Sequence, residues 1–189
     1  VDIDPQTYNL CPIALEEKLS AAQKTAQLPK IVVAVHMCGQ PCDMQAIHAL
    51  SVKYGFKLIE DASHAIGAKY QGEYVGGGRY SDITVFSFHP VKIITTAEGG
   101  MAMTNDPALA KTMRMLRSHG ITRDPALMTE PMHGPWYYQQ VALGFNYRMT
   151  DMQAALGVSQ MTRLVDYVKR RHEIAQHYNQ LLADLPLTL

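Results

Sequence analysis

No sign of charge dominates this chain: 17 Lys and Arg balance 17 Asp and Glu, for a formal net charge of +0, and no run of one sign stands out. That balance argues against nucleic acid or an anionic membrane as the main partner. No stretch approaches the roughly 18 consecutive apolar residues of a membrane span. Val1-Asp2-Ile3-Asp4-Pro5 lacks the basic and then apolar layout of a secretion signal. Cysteine is scarce. Cys11, Cys38 and Cys42 form an odd, small set, which fits reduced thiols and a cytoplasmic setting better than a disulfide framework. His36, Cys38, Cys42 and His48 follow no common zinc spacing. Gly76-Gly-Gly78 lacks the Gly-Lys-Ser/Thr ending of a phosphate loop, so a turn into the following strand is the simpler role. Internal repeats and low-complexity tracts are missing too.

What is present reads as α/β. Ile31-Val-Val-Ala-Val35 is a short apolar run rich in β-branched residues, the composition of a strand buried on both faces. Lys57-Leu-Ile-Glu60 and Ile83-Thr-Val-Phe-Ser-Phe88 are further strand candidates. Between the first two, Met44, Ile47, Leu50 and Tyr54 keep helical spacing behind Asp43, a plausible cap. Strand, helix and strand with short connections predict a parallel βαβ unit. A helix is expected from Pro107 to about Ser118, with Gly120 closing its end. Arg123 to Gly144, with three prolines, is expected to be a long loop. Thr150-Asp-Met-Gln153 has the form of a capping box and opens a long helical region.

Parallel sheets gather ligands at the carboxyl ends of their strands. Here those ends deliver Asp61 after the second strand and Ser87 to Lys92 after the third. A carboxylate, a hydroxyl and a lysine are the set a pyridoxal phosphate site needs, for the ring nitrogen, the phosphate and a Schiff base. By position alone Lys92 reads more simply as a solvated surface lysine.

Ile59-Glu-Asp-Ala-Ser-His-Ala-Ile-Gly-Ala68, Ser81-Asp-Ile-Thr-Val-Phe-Ser-Phe-His-Pro-Val-Lys92, Thr96-Ala-Glu-Gly-Gly100 and Gly144-Phe-Asn-Tyr-Arg-Met-Thr-Asp-Met-Gln-Ala-Ala155 resemble, in order, segments of the DegT/DnrJ/StrS sugar aminotransferases. The resemblance spans nearly the whole chain. It implies the large domain of a pyridoxal-phosphate-dependent transferase of the aspartate aminotransferase-like fold, a mainly parallel sheet flanked by helices. Residues 1–150 would form part of that cofactor-binding domain, and 151–189 the helical lead into a small C-terminal domain. Lys92 would be the catalytic lysine that carries the cofactor. Asp61 would pair with the pyridine nitrogen and Ser87 would bind the phosphate. His64 would lie near the ring, where the family often has Gln. Asn146 would reach the phosphate in a neighbouring subunit, which implies a homodimer with shared sites. His89 and Arg148 are candidates for the substrate side. Lysine at position 92, where the family's dehydratase branch has histidine, favours transamination.

His36-Met-Cys-Gly-Gln-Pro-Cys-Asp-Met44 and Gly134-Pro-Trp-Tyr-Tyr-Gln-Gln140 look most like the pseudaminic-acid branch of the family. That resemblance implies glutamate as amino donor and a UDP-linked 4-keto-6-deoxy-N-acetylhexosamine as acceptor. Trp136 and Tyr137 would pack on a sugar or uracil ring, or simply plug the loop onto the core. A perosamine-type GDP or dTDP 4-keto sugar is the alternative substrate, and a non-catalytic binding or assembly module the alternative of another class. The family's upstream Gly-Thr-type phosphate motif and ring-stacking aromatic are not found. The chain is therefore expected to be the central part of a longer protein.

Overall fold

The computed structural model describes residues 1–187. Helix α1 (Pro12–Lys24) precedes strand β1 (Ile31–Val35), helix α2 (Met44–Tyr54) and strand β2 (Lys57–Asp61). Two short strands, β3 (Lys69–Tyr70) and β4 (Glu73–Tyr74), form a hairpin before β5 (Ile83–Ser87) and β6 (Gly100–Met103). Helix α3 (Pro107–Arg117) leads into β7 (Ile121–Thr122), which pairs with β8 (Gln139–Gln140). Helices α4 (Asp151–Met161) and α5 (Leu164–Leu181) follow. No helix among the described residues is long and apolar enough to cross a membrane.

The main sheet runs β1-β2-β5-β6, with the first three strands parallel and β6 antiparallel. Helix α2 forms where expected. The Asp43 carboxylate accepts the Ala46 N–H at 3.2 Å, and Gly55 closes the far end at φ +76°. It buries Met44, Ile47, Leu50 and Tyr54 against Ala34 and Leu58 of the sheet. Helix α1, which sequence pattern did not disclose, adds Leu15 and Leu19 to the same layer. Both helices therefore cover one side of β1 and β2. A second cluster, Ala62, Ala65, Phe86, Phe88 and Ile94, gathers at and just past the carboxyl ends of β2 and β5 and packs against Leu164 and Tyr167 of α5.

The other side of the sheet departs from expectation. Strand β1 is not buried on both faces: Ile31, Val33 and Val35 keep 53%, 49% and 44% of their surface exposed. Strand alternation and the register place Ile59, Asp61 and Val85 on this same face. Nothing among the described residues packs on it as α1 and α2 pack on the opposite face. The expected loop from Arg123 to Gly144 is also partly structured, because β8 folds back onto β7. Gly120 allows that return: at φ +68°, its missing side chain leaves room for the Ala142 carbonyl.

The covered face holds one carboxylate. Glu60 shares the helix side with Leu58 and is 5% exposed. It accepts hydrogen bonds from His36 Nε2 at 2.9 Å, from Thr84 Oγ1 at 3.2 Å and from the Ser81 hydroxyl. His36 is wholly buried, and its Nδ1 accepts the Cys42 N–H at 3.2 Å. That contact fixes the tautomer: Nδ1 carries no proton, so Nε2–H donates to Glu60. Burial alone pushes the Glu60 carboxyl up. The three side-chain donors, His36 foremost, together outweigh it and hold the group below its ordinary value.

A folded-state value below the unfolded one means that Glu60 adds stability above the ordinary carboxylate range of about 4.3. That contribution falls away as pH drops through the lowered value. Denaturant unfolding of the full-length protein should show wild type more stable than Glu60→Gln at pH 7, with the gap closing below pH of about 4. A gap that stays constant with pH contradicts this account. A second test concerns the thiols. Burial pushes Cys42 up to about 11, and its Sγ donates to the Val35 carbonyl at 3.1 Å, whereas Cys38 is exposed. Iodoacetamide followed by peptide mass spectrometry should modify Cys38 under native conditions and Cys42 only after unfolding.

Candidate active site

Parallel pairing brings the carboxyl ends of β1, β2 and β5 together, with Val35 opposite Asp61 and Asp61 opposite Val85. Asp61 ends β2 and Ser87 ends β5. Alternation along β5 puts Ser87 on the same face as Val85, and so on the same face as Asp61. The Asp61 Oδ1 accepts the Ser63 N–H at 3.0 Å, while Oδ2 has no hydrogen-bond donor among the described residues. Its backbone carbonyl accepts the His36 N–H at 3.0 Å. The Ser87 hydroxyl accepts the His89 N–H at 3.4 Å, so its own proton is free to be donated.

Lys92 follows Ser87 in a loop closed at its base. The Phe88 N–H donates to Gly99 O at 2.8 Å, and the Thr96 N–H returns to Phe88 O at 3.0 Å. Ile94, 1% exposed, anchors the loop in the second cluster. The Lys92 N–H donates to His89 O at 3.0 Å, which sets the turn that presents the side chain. That side chain is half-buried, and no ion pair among the described residues engages it. The base of the loop is tied to α4 as well. Thr150 and Gln153 form the expected capping box, and Gln153 Nε2 donates to the Glu98 carbonyl at 3.0 Å.

Two clefts open around this loop. One, of about 1040 Å³, is lined by His64, Cys38, Val91 and the start of α5. The other, of about 670 Å³, is lined by Lys92, Thr95, Gln160 and Tyr167. Ile93 and Arg171 border both, so His64 and Lys92 look into adjoining spaces rather than one. Asp61 and Ser87 lie at the sheet end and line neither cleft.

Of the remaining candidates, His89 belongs to the Lys92 loop and the others to the segment from 136 to 148. Asn146 pairs with Ser118 in an isolated bridge, flanked by Phe145 N–H to Leu116 O at 2.6 Å and Tyr147 N–H to Arg117 O at 3.0 Å. Asn146 and Arg148 are exposed. His89 is exposed, with its Nε2 3.9 Å from Glu98. Trp136 is 71% exposed, so it does not plug the loop onto the core. Tyr137 is half-buried; its hydroxyl accepts from Gln139 Nε2 at 2.8 Å, and its ring meets His133 edge-on. The residues that sequence reasoning passed over as site elements are His36, Glu60, Ser81 and Thr84. Their signal was the pair Glu60-Asp61: consecutive acids in a strand face opposite ways, so one of them had to enter the covered side and find donors there.

Held against pyridoxal phosphate, the donor set fits in kind. It offers a carboxylate oxygen without a donor, a hydroxyl with its proton free, and an amine without an acidic partner.

The model of the DegT/DnrJ/EryC1/StrS aminotransferase family matches residues 1–189. The spore coat polysaccharide biosynthesis protein SpsC of Bacillus subtilis is 40% identical over 98% of this chain and 45% of its own length. Among solved structures, Helicobacter pylori PseC, an aminotransferase involved in the biosynthesis of pseudoaminic acid, superposes with a TM-score of 0.84 at 30% identity, over 98% of this chain and 45% of that one. DesI, solved in the presence of its TDP-sugar product, gives 0.81 at 31% identity, over 100% of this chain and 43% of that one. The chain thus spans about half the length of the curated relatives it matches. Pyridoxal phosphate is the cofactor of this family's aminotransferases. Matched along its whole sequence and in its fold, the chain belongs to the DegT/DnrJ/EryC1/StrS aminotransferase family.

Proposed function

We propose that the full-length protein is a pyridoxal-phosphate-dependent aminotransferase that moves an amino group from glutamate to carbon 4 of a nucleotide-linked 4-keto-6-deoxy sugar. One observation carries this reading. Asp61 and Ser87 share one face at the carboxyl ends of neighbouring parallel strands, and the Lys92 loop starts where β5 ends.

The bound cofactor supplies an electron sink for the carbon that exchanges nitrogen. The chain's own groups do the rest. Asp61 Oδ2 would hold a proton on the pyridine nitrogen, and Ser87 would donate its hydroxyl proton to a phosphate oxygen. Lys92 Nζ would anchor the cofactor and, once an incoming amine has displaced it, would lift and return a proton at the substrate carbon. His64 would flank the ring from the adjoining cleft. His89, Arg148, Trp136 and Tyr137 serve the sugar nucleotide. Asn146 reaches a phosphate in a second subunit, which makes the working form a homodimer. In domain terms, residues 1–150 belong to the cofactor domain, and 151–189 lead to a small domain; of these, 188 and 189 lie outside the described residues. A cytoplasmic location goes with this chemistry, because nucleotide sugars and glutamate are its reactants.

UDP-4-keto-6-deoxy-N-acetylhexosamine, a pseudaminic-acid precursor, is the proposed acceptor, supported by the match to PseC. The comparable likeness to DesI, solved with its TDP-sugar product, favours a second reading, in which another nucleotide sugar is aminated. A non-catalytic module would have no need of Asp61 and Lys92 together.

Absorbance spectra of the full-length protein with pyridoxal phosphate test the reading. Wild type should show a lysine-linked cofactor band that shifts on adding glutamate. Lys92→Ala should lack that band and lose activity by at least about 10²–10⁴-fold, the usual share of a general acid–base group. A wild type without the band returns the protein to the non-catalytic alternative. Ranking kcat/KM for UDP-, dTDP- and GDP-linked 4-keto sugars then decides the substrate, with the UDP sugar expected first.

A further inference from the structure

Glu60 and His36 lie one residue to either side of positions that matter for the site, yet they face away from it. Glu60 precedes Asp61 in β2, and alternation sends the two carboxylates to opposite faces of the sheet. His36 follows Val35 of β1, and its backbone N–H donates to the Asp61 carbonyl at 3.0 Å while its ring donates to Glu60 at 2.9 Å. The same ring accepts the Cys42 N–H at 3.2 Å, which ties in the segment that leads to α2. On its other side, Glu60 accepts from Thr84, three residues before Ser87 on β5, and from Ser81 just ahead of that strand. One buried carboxylate thus joins β1, β2 and β5 one residue before Asp61 on β2 and three residues before Ser87 on β5.

A cross-link of this kind is costly to leave half made. Without Glu60, His36, 0% exposed, would have a buried donor and no acceptor, while Thr84, 1% exposed, would keep only the Ser81 hydroxyl at 3.2 Å. Glu60 is the acceptor that satisfies all three donors at once in the observed arrangement. That arrangement fixes how far β2 and β5 extend relative to each other at their carboxyl ends. The backbone ladder between β2 and β5 ends with Asp61 opposite Val85, two residues short of Ser87, so the cross-link reinforces the pairing at the edge where the site begins.

We propose that Glu60 and His36 are positioning residues for the cofactor: their buried hydrogen-bond cross-link to Thr84 and Ser81 sets the spacing between Asp61 on β2 and Ser87 on β5. This rests on the function proposed above. Hydrogen bonding, rather than charge, is the operative property. The amide of Glu60→Gln can still accept from His36 and donate to the two hydroxyls, whereas Glu60→Leu can do neither.

The test titrates pyridoxal phosphate into the full-length protein, lysine-linked band as readout, for wild type, Glu60→Leu, Glu60→Gln, Thr84→Val and Leu19→Ala. Loss of hydrogen bonds to a charged group predicts roughly ten-fold or greater weakening in Glu60→Leu and about three-fold in Thr84→Val. Glu60→Gln should stay within about three-fold of wild type. Leu19→Ala, a cavity on α1 in the core cluster that includes Ala34 and Leu58, should lower the melting temperature without changing cofactor affinity. Should Glu60→Leu not fold, Thr84→Val against Leu19→Ala decides. Equal affinity in Thr84→Val and wild type, or a loss in Leu19→Ala as large as in Thr84→Val, overturns the proposal. Absence of the band from wild type sinks the proposed function instead, so the two failures are told apart.

Discussion

Parallel pairing of β1, β2 and β5 is the constraint on which the candidate site depends. Because the three strands run the same way, their carboxyl ends meet at one edge, and each releases its following residues there. Asp61, Ser87 and the Lys92 loop come together for that reason and not through direct contact with one another. An antiparallel partner in place of β5 would have carried Ser87 to the opposite end of the sheet, about four residues or roughly 13 Å away at the rise of a strand. The antiparallel β6 then brings the chain back, and its pairing of Gly100 with Ser87 closes the loop on which Lys92 stands.

Alternation divides the labour across the sheet. Residues facing α1 and α2 provide cohesion: Ala34 and Leu58 by apolar contact, Glu60 and Thr84 by hydrogen bonds that leave no buried side-chain donor or acceptor unpaired among the described residues. Of the residues facing the other way, Asp61 keeps its Oδ2 without a donor and Ser87 its hydroxyl proton without an acceptor among the described residues. The strand that carries a core carboxylate therefore also carries the site carboxylate, and neither can move without the other.

Much of this was legible in the sequence because it rests on local signals. Asp43 and Gly55 mark the ends of α2, Thr150 and Gln153 cap α4, and β-branched runs mark the strands. The parallel direction of β1 and β2 followed from the βαβ pattern, whereas the grouping of Asp61 with Ser87 followed from the rule that parallel sheets gather ligands at their carboxyl ends; the pairing of β2 with β5, which no helix separates, had no such signal. Helix α1 was missed because only Leu15 and Leu19 face the core, too few to establish a period. Strand β8 was missed because Gln139-Gln140 carries no strand composition; it pairs with β7 only where Gly120 lets the returning chain approach. Those are tertiary facts without a local signature.

The exposure of β1 is the most instructive of these departures. Apolar β-branched composition reports what a strand is suited to, burial on both faces, and that suitability holds for Ile31, Val33 and Val35. It does not report which elements are present to cover them, and α1 and α2 both fall on one side. The apolar row borders Asp61 directly through the pairing of Val35 with that residue. Whatever excludes water from Val35 would also lower the local dielectric around the Asp61 carboxylate. A lower dielectric strengthens the attraction between a carboxylate and a protonated ring nitrogen. Covering the sheet and tuning the site are therefore the same physical event on this face, which is why a strand so apolar ends beside the one carboxylate proposed to hold a proton.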